Sequence, residues 1–240
     1  MLKITFFVPF LLFFVSASQT FGQTENYLSL YKDQLPYFQE LITGGQFKEP
    51  PLSHEGDPYY LDRKFGEGNL SINRITYTEV PLLYDQYADV VVTFHPIYRQ
   101  KILIKPEKIE EFDFVDGILF RTFSGNSSYA HHKNGFYRVV KDGEVKVLKK
   151  HYKYLEPVRE VGKYTHRYVE NSDYFYWYKG EFVLIRKKKQ AIQSLGFKKR
   201  DVKKHFREKK LYFSMDREKY ILELASLRES KSDTFEGFVK

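Results

Sequence analysis

The chain has no cysteine and a single tryptophan in 240 residues. Missing thiols exclude a disulfide framework, thiolate zinc and iron–sulfur sites, a cysteine nucleophile and a lipidated cysteine anchor. Nor can a phosphate-binding glycine loop, a nucleophile elbow or a zinc-protease helix be read anywhere along the chain. No stretch after the N-terminus approaches the roughly 20 apolar residues of a spanning helix. What the chain does have is aromatic mass: 20 Tyr and 22 Phe bring aromatics to 18%, within 42% hydrophobic residues. That composition excludes disorder, and a chain of this length buries roughly 70% of its extended surface on folding.

The N-terminus has the organisation of a secretory signal. Lys3 supplies a positive charge, residues 4–15 are apolar apart from Thr5 and Pro9, and small and polar residues follow to Gln23. Cleavage after Ser18 or after Gly22 satisfies the need for small side chains, and the Gly22 cut is preferred. Export to the periplasm or the extracellular face of the envelope is therefore expected.

Within residues 23–54, Leu35, Phe38, Leu41 and Ile42 recur at helical spacing before Gly44-Gly45, and a Pro-rich linker follows. Residues 55–186 read as strands, with β-branched or aromatic runs at 68–72, 75–84, 90–94, 101–104, 118–123, 136–140, 145–148, 174–178 and 182–185. Asp142-Gly143 and Lys179-Gly180 are hairpin turns by composition. Strand follows strand with little room for crossover helices, so the expected fold is α+β, mainly β. It is an antiparallel sheet, sandwich or open barrel-like, with a short N-terminal helix and a basic C-terminal helical segment. The expected core includes Val80, Leu82, Val91, Phe94, Ile102, Ile104, Phe120, Tyr137, Val139, Val147 and Trp177. Residues 187–230 should form two or three short helices packed on the sheet, and residues 231–240 a flexible tail. A membrane barrel would close with a C-terminal strand, whereas this chain ends in a helical pattern.

Several motifs carry a resemblance: Gly56-Asp57-Pro58-Tyr59-Tyr60, Gly68-Asn69-Leu70, Val80 to Asp89, Phe136-Tyr137 before the Asp-Gly turn, and the lysine-rich segment around Lys187-Lys188-Lys189. Together they resemble uncharacterised secreted β-rich proteins of Bacteroidetes. The resemblance covers most of the chain beyond the signal. It implies an envelope location and no known activity.

Candidate chemistry is thin. His131 and His132 sit in the longest polar loop, residues 124–135, and support the alternative reading, a secreted hydrolase of glycans or peptides. Adjacent imidazoles on an extended chain point to opposite faces, which makes them poor chelators, and the loop holds no acid to orient them. Asp85 and Asp89 are a second candidate pair, although aspartate is favoured in turns for its local hydrogen bonds. On a strand, Tyr174, Tyr176 and Tyr178 share one face, either a core face or an aromatic platform for stacking ligands. No cofactor and no metal site is expected.

Charge is the clearest asymmetry. Residues 179–210 hold 13 basic and 3 acidic side chains, a local +10, so the rest of the chain sums to −2 against a total of +8. Nucleic acid is not expected outside the cell. An anionic surface or an acidic protein of the envelope is, reached through Lys187, Lys188, Lys189, Lys198, Lys199, Arg200, Lys203, Lys204 and Arg207, with peripheral membrane contact. The leading expectation is a non-enzymatic envelope protein acting by interaction.

Overall fold

The structure, a computed structural model, describes residues 41, 44–95, 99–114, 117–159 and 162–236, with side chains through residue 230. All of them lie in one compact unit, Gln39–Lys240. The expected signal segment, and the expected N-terminal helix apart from Leu41, fall outside the described residues.

Eleven strands form one sheet: β1 (His54–Glu55), β2 (Gly66–Ile72), β3 (Ile75–Asp85), β4 (Val90–His95), β5 (Gln100–Leu103), β6 (Ile109–Asp113), β7 (Leu119–Thr122), β8 (Phe136–Lys141), β9 (Lys146–Pro157), β10 (His166–Tyr178) and β11 (Glu181–Ile185). Their order is β1-β10-β9-β8-β7-β6-β2-β3-β4-β5, with β11 also on β10. Every pairing is antiparallel except the two-residue contact of β1 with β10. The mainly β, antiparallel architecture thus forms as its alternating apolar pattern dictates.

Cross-strand partners share a face. The register therefore puts Leu70, Phe112, Phe120, Arg138, Lys149, Tyr174 and Ile185 in one row across seven strands. The sheet rolls around this face. The rings of Tyr84 on β3 and Phe136 on β8 are 6.1 Å apart. In a flat sheet the three intervening strands would hold them about 19 Å apart, at about 4.8 Å per strand. Phe112 stacks on Phe120 at 5.0 Å, and Tyr84 and Tyr60 meet the same Phe120 ring at 5.1 and 5.2 Å. Residues 57–60 stitch the seam. The Tyr60 N–H donates to the Tyr84 carbonyl and the Gln86 N–H to the Pro58 carbonyl, both at 2.8 Å. Lys153 on β9 donates its ammonium to the Tyr59 carbonyl at 2.7 Å.

Three helices cover part of the sheet: α1 (Lys188–Ser194), α2 (Lys199–Glu208) and α3 (Arg217–Glu236). Val145, Val147, Tyr174, Tyr176 and Ile185 from the sheet pack with Ile192, Leu195, Phe197, Val202, Phe206, Tyr220, Ile221 and Leu224 in one core cluster. The helix starts follow from sequence. Gln190 accepts the Lys187 N–H (3.0 Å), Asp201 the Lys198 N–H (3.3 Å) and Asp216 the Lys219 N–H (2.9 Å). Gly196 leaves α1 at φ +77, a conformation that favours glycine.

The tyrosine face is a correction. Tyr174 and Tyr176 are buried beneath the helices and Tyr178 is half-buried against the same cluster, so this face is core and not a platform. Tyr174 donates to Glu218 (2.8 Å) and Tyr176 to the Ile221 carbonyl (3.2 Å), which satisfies hydroxyls carried into the interior. Of the expected core, Phe94, Val139 and Trp177 are only half-buried, while the other eight are buried. Lys179-Gly180 makes the expected tight turn, with φ of +53 and +81. The Asp142-Gly143 loop is wider than two residues, because Glu229 of α3 reaches in to accept the Val145 N–H (3.2 Å) and to pair with Lys141. Finally, α3 continues to Glu236, into the segment expected as a tail.

Candidate functional site

The nine basic residues singled out in the sequence are all exposed, and α1, α2 and the link between them bring six of them, Lys188, Lys189, Lys198, Lys199, Lys203 and Arg207, around two adjoining recesses. In α2 the buried positions Val202 and Phe206, four apart, fix which side faces the sheet. Lys204 lies on the opposite side, whereas Lys199, Lys203 and Arg207 flank the buried pair, are exposed, and line a recess with it. Arg200 lies beside Asp201 (3.4 Å) and Lys204 beside Glu208 (3.9 Å). Lys187, Lys188, Lys189, Lys198, Lys199, Lys203 and Arg207 have no carboxylate within 4 Å among the described residues. On the inner side His205 and Lys209 converge on Glu223 at 2.6 and 2.7 Å, and these bonds hold its carboxyl below the usual range against the opposing effect of burial. The face thus combines positive charge with an anchored backbone.

That face is not flat. A recess of about 450 Å³ opens beside Ile192, Gln193 and Phe197, rimmed by Lys188, Lys189, Lys198 and Lys199. A second recess of about 210 Å³ shares Lys188, Ile192 and Lys199 with it and continues over Val202, Phe206 and Tyr220. Lys188 lies over the Tyr220 ring, 5.1 Å from its centre.

The other sequence candidates are engaged in holding the fold together. His131 stacks flat on Tyr152 at 3.7 Å, while the His132 ring contacts Tyr137 with Nδ1 2.9 Å from its hydroxyl. The two imidazoles therefore diverge, although the segment is a run of turns, with the His132 N–H donating to the Tyr129 carbonyl (2.9 Å), and not extended chain. Burial lowers the pKa of both. Asp89 and Lys150 form a buried ion pair at 2.7 Å, each 1% exposed at the side chain. Lys150 also donates to the Phe136 carbonyl (2.8 Å). Asp89 also accepts from the Tyr84 hydroxyl (2.6 Å) and the N–H groups of Asn134 (2.9 Å) and Gly135 (3.2 Å). This network ties the β3–β4 turn to the 124–135 loop and to β9. Both Asp89 oxygens accept and Lys150 donates to two oxygens, so the network acts as a structural lock.

Asp85 stands apart from Asp89. Its carboxylate accepts the Ala88 N–H (2.8 Å), as a turn aspartate does, yet burial pushes its pKa up from 3.8 to about 6. It lines an open cleft of about 480 Å³ walled by Tyr87, Tyr168, Phe47 and Leu103. Glu49, the other carboxylate there, is occupied by Lys101 (2.8 Å) and by the Tyr59 hydroxyl (3.2 Å). A hydrolytic pair would need a second carboxyl free to act across the cleft. Among the described residues no three His, Asp or Glu side chains are grouped to hold a metal ion.

Protein-family models, curated proteins and solved structures yield no match to this chain. Function must be read from its own geometry. Sequence reasoning located the basic residues but missed the recess, since Ile192 and Phe197 register in sequence simply as a buried stripe. It also missed the Asp89–Lys150 pair, whose one advance signal was a lysine at an inward-facing position of a strand.

Proposed function

We propose that the protein is an exported, non-enzymatic component of the cell envelope that binds an anionic membrane surface through the basic face of α1 and α2. The observation that carries this reading is the concentration on that face of six cations with no carboxylate partner among the described residues, within a segment, residues 179–210, outside which the chain sums to −2. Lysines and arginines without internal partners keep their full attraction for an external anion, and each contributes about 1 kcal/mol near an anionic leaflet. Docking of the helices on the sheet through Phe206, Tyr220 and Leu224 holds the cations in a fixed array. No helix among the described residues is long and apolar enough to cross a membrane, and the binding proposed here is peripheral.

Sedimentation with vesicles tests the proposal. The wild type should pellet with vesicles containing anionic phospholipid and stay in solution with purely zwitterionic ones. A variant with Lys187, Lys188, Lys198, Lys199, Lys203 and Lys204 changed to Glu should fail to pellet with either. Equal pelleting of wild type and variant would remove the basic face from the account.

A further inference from the structure

The lysine-rimmed recess has a shape that a simple electrostatic contact does not need. Its rim is cationic and its floor is apolar, formed by Ile192 and Phe197 and continuing over Val202 and Phe206. Lysines at such a rim lay their methylene stems along the wall and keep their ammonium groups at the mouth. A volume of about 450 Å³ is that of a small-molecule site. We propose that this groove receives the single acyl chain of an anionic amphiphile, with its phosphate or carboxylate head held at the mouth by Lys188, Lys189, Lys198 and Lys199. The proposal deepens the reading of α1 and α2 as an anion-binding face and rests on it.

The charge pattern selects this ligand class over its neighbours. A small inorganic anion would satisfy the lysines but leave the apolar floor wet. A neutral alkyl chain would fill the floor but gain nothing from the four ammonium groups, and a cationic detergent would be repelled at the mouth. Only a ligand with an apolar tail and a negative head uses both parts. The Lys188 ammonium, already drawn over the face of the Tyr220 ring, stands where the two recesses meet. From there it can reach a head group while the tail runs on over Val202 and Phe206.

Calorimetry on the full chain with soluble amphiphiles below their micelle-forming concentrations separates these terms. Each methylene that enters the groove should raise affinity about fourfold, the equivalent of ~0.8 kcal/mol. Decyl phosphate, with six more methylenes, should thus bind roughly 3,000- to 4,000-fold more tightly than butyl phosphate. Decanoate, compared with decyl phosphate, tells whether a carboxylate or a phosphate head is preferred, and decyl maltoside reports the tail alone. Gln193 is an exposed residue at the groove, and Gln193→Trp should fill it. That variant should lose the advantage of decyl over butyl phosphate while still sedimenting with anionic vesicles.

Wild-type protein that sediments with anionic vesicles but binds butyl and decyl phosphate equally would overturn the groove and leave the surface reading intact. A steep chain-length series without vesicle binding would do the reverse. Equal binding of decyl maltoside and decyl phosphate would also overturn the proposal, because the lysines would then play no part. So would binding of an acidic amphipathic peptide with no binding of decyl phosphate.

Discussion

Replacing Lys150 with methionine should cost the fold about 3–5 kcal/mol, because it strands a buried carboxylate. The side chain is 1% exposed, and its ammonium sits 2.7 Å from Asp89 and 2.8 Å from the Phe136 carbonyl, 5.2 Å from the centre of the Tyr137 ring. Methionine keeps the volume and loses the charge. Asp89 would retain three donors, from Tyr84, Asn134 and Gly135, which places the expected cost toward the lower end of that range. Asp89→Asn removes the other partner and is compatible with the backbone, since Asp89 sits at φ +61, where asparagine is among the better-tolerated residues. It should cost about 2–3 kcal/mol. Burial already lowers the Lys150 pKa, so that side chain can shed its proton more readily than a stranded carboxylate can be re-solvated. The double variant should cost less than the sum by about 2 kcal/mol, because neither partner is then left alone. Equilibrium urea unfolding followed by the fluorescence of Trp177, with far-UV circular dichroism as a second probe, reads all three. Additive effects, or single-variant costs below about 1 kcal/mol, would show that water satisfies the pair and that it does not lock the seam.

The same geometry gives three further outcomes. Asp85→Asn should stabilise the protein by about 1–2 kcal/mol at pH 7. The raised pKa means that the folded state resists ionisation, a penalty of about 3 kcal/mol at 1.36 per unit, less about 1 for the weaker bond to Ala88. That gain is largest above pH 6, shrinks as pH falls from 6 toward 4, and should vanish by about pH 3, where the wild-type carboxyl is protonated in both states. The histidines act in the opposite direction: burial holds His151, His131 and His132 neutral when folded, so the unfolded chain binds more protons below about pH 6.5. Stability should therefore fall as pH drops through that value. The fall should be steeper in Asp85→Asn, which lacks the compensating carboxyl; a flat thermal-denaturation profile from pH 7 to 5 in that variant would contradict this. Phe206→Ala should cost about 3–4 kcal/mol, since the ring is 4% exposed and stacks on Tyr220 at 4.1 Å. An unchanged unfolding midpoint would mean that the helices do not dock.

The parts of the fold governed by local pattern were legible in the sequence. Alternation marked β3 and β4, Lys179-Gly180 marked the turn into β11, and Ser214 and Asp216 were the two capping candidates for the last helix, of which Asp216 accepts the Lys219 N–H. Strand β6 was not, because Glu110 and Glu111 hide an inward pair, Ile109 and Phe112, that only the neighbouring strands reveal. The long arms of β9 and β10 were cut short for a similar reason. Their lysines lie where the rolled sheet and the helices supply partners: Lys149 meets Glu218 of α3, Lys150 meets Asp89, and Lys153 meets the residues 57–60 seam. Rolling itself is a long-range property. Nothing in the neighbourhood of Tyr84 announces that it meets Phe136. The basic face was legible because charge survives as composition. Its groove was not, since a recess is set by how helices sit against one another.

The central claim is that a specific face binds an anionic membrane surface, and partitioning onto vesicles of mixed zwitterionic and anionic phospholipid tests it most directly. Lys199→Gln/Lys203→Gln removes two unpaired cations from the face. Lys105→Gln/Lys163→Gln removes two exposed lysines elsewhere, at identical net charge. At about 1 kcal/mol per lysine, the first pair should weaken partitioning about 30-fold, whereas the second should change it less than about twofold. Equal losses from the two pairs would mean that net charge alone drives association, which would contradict the assignment of the α1–α2 face.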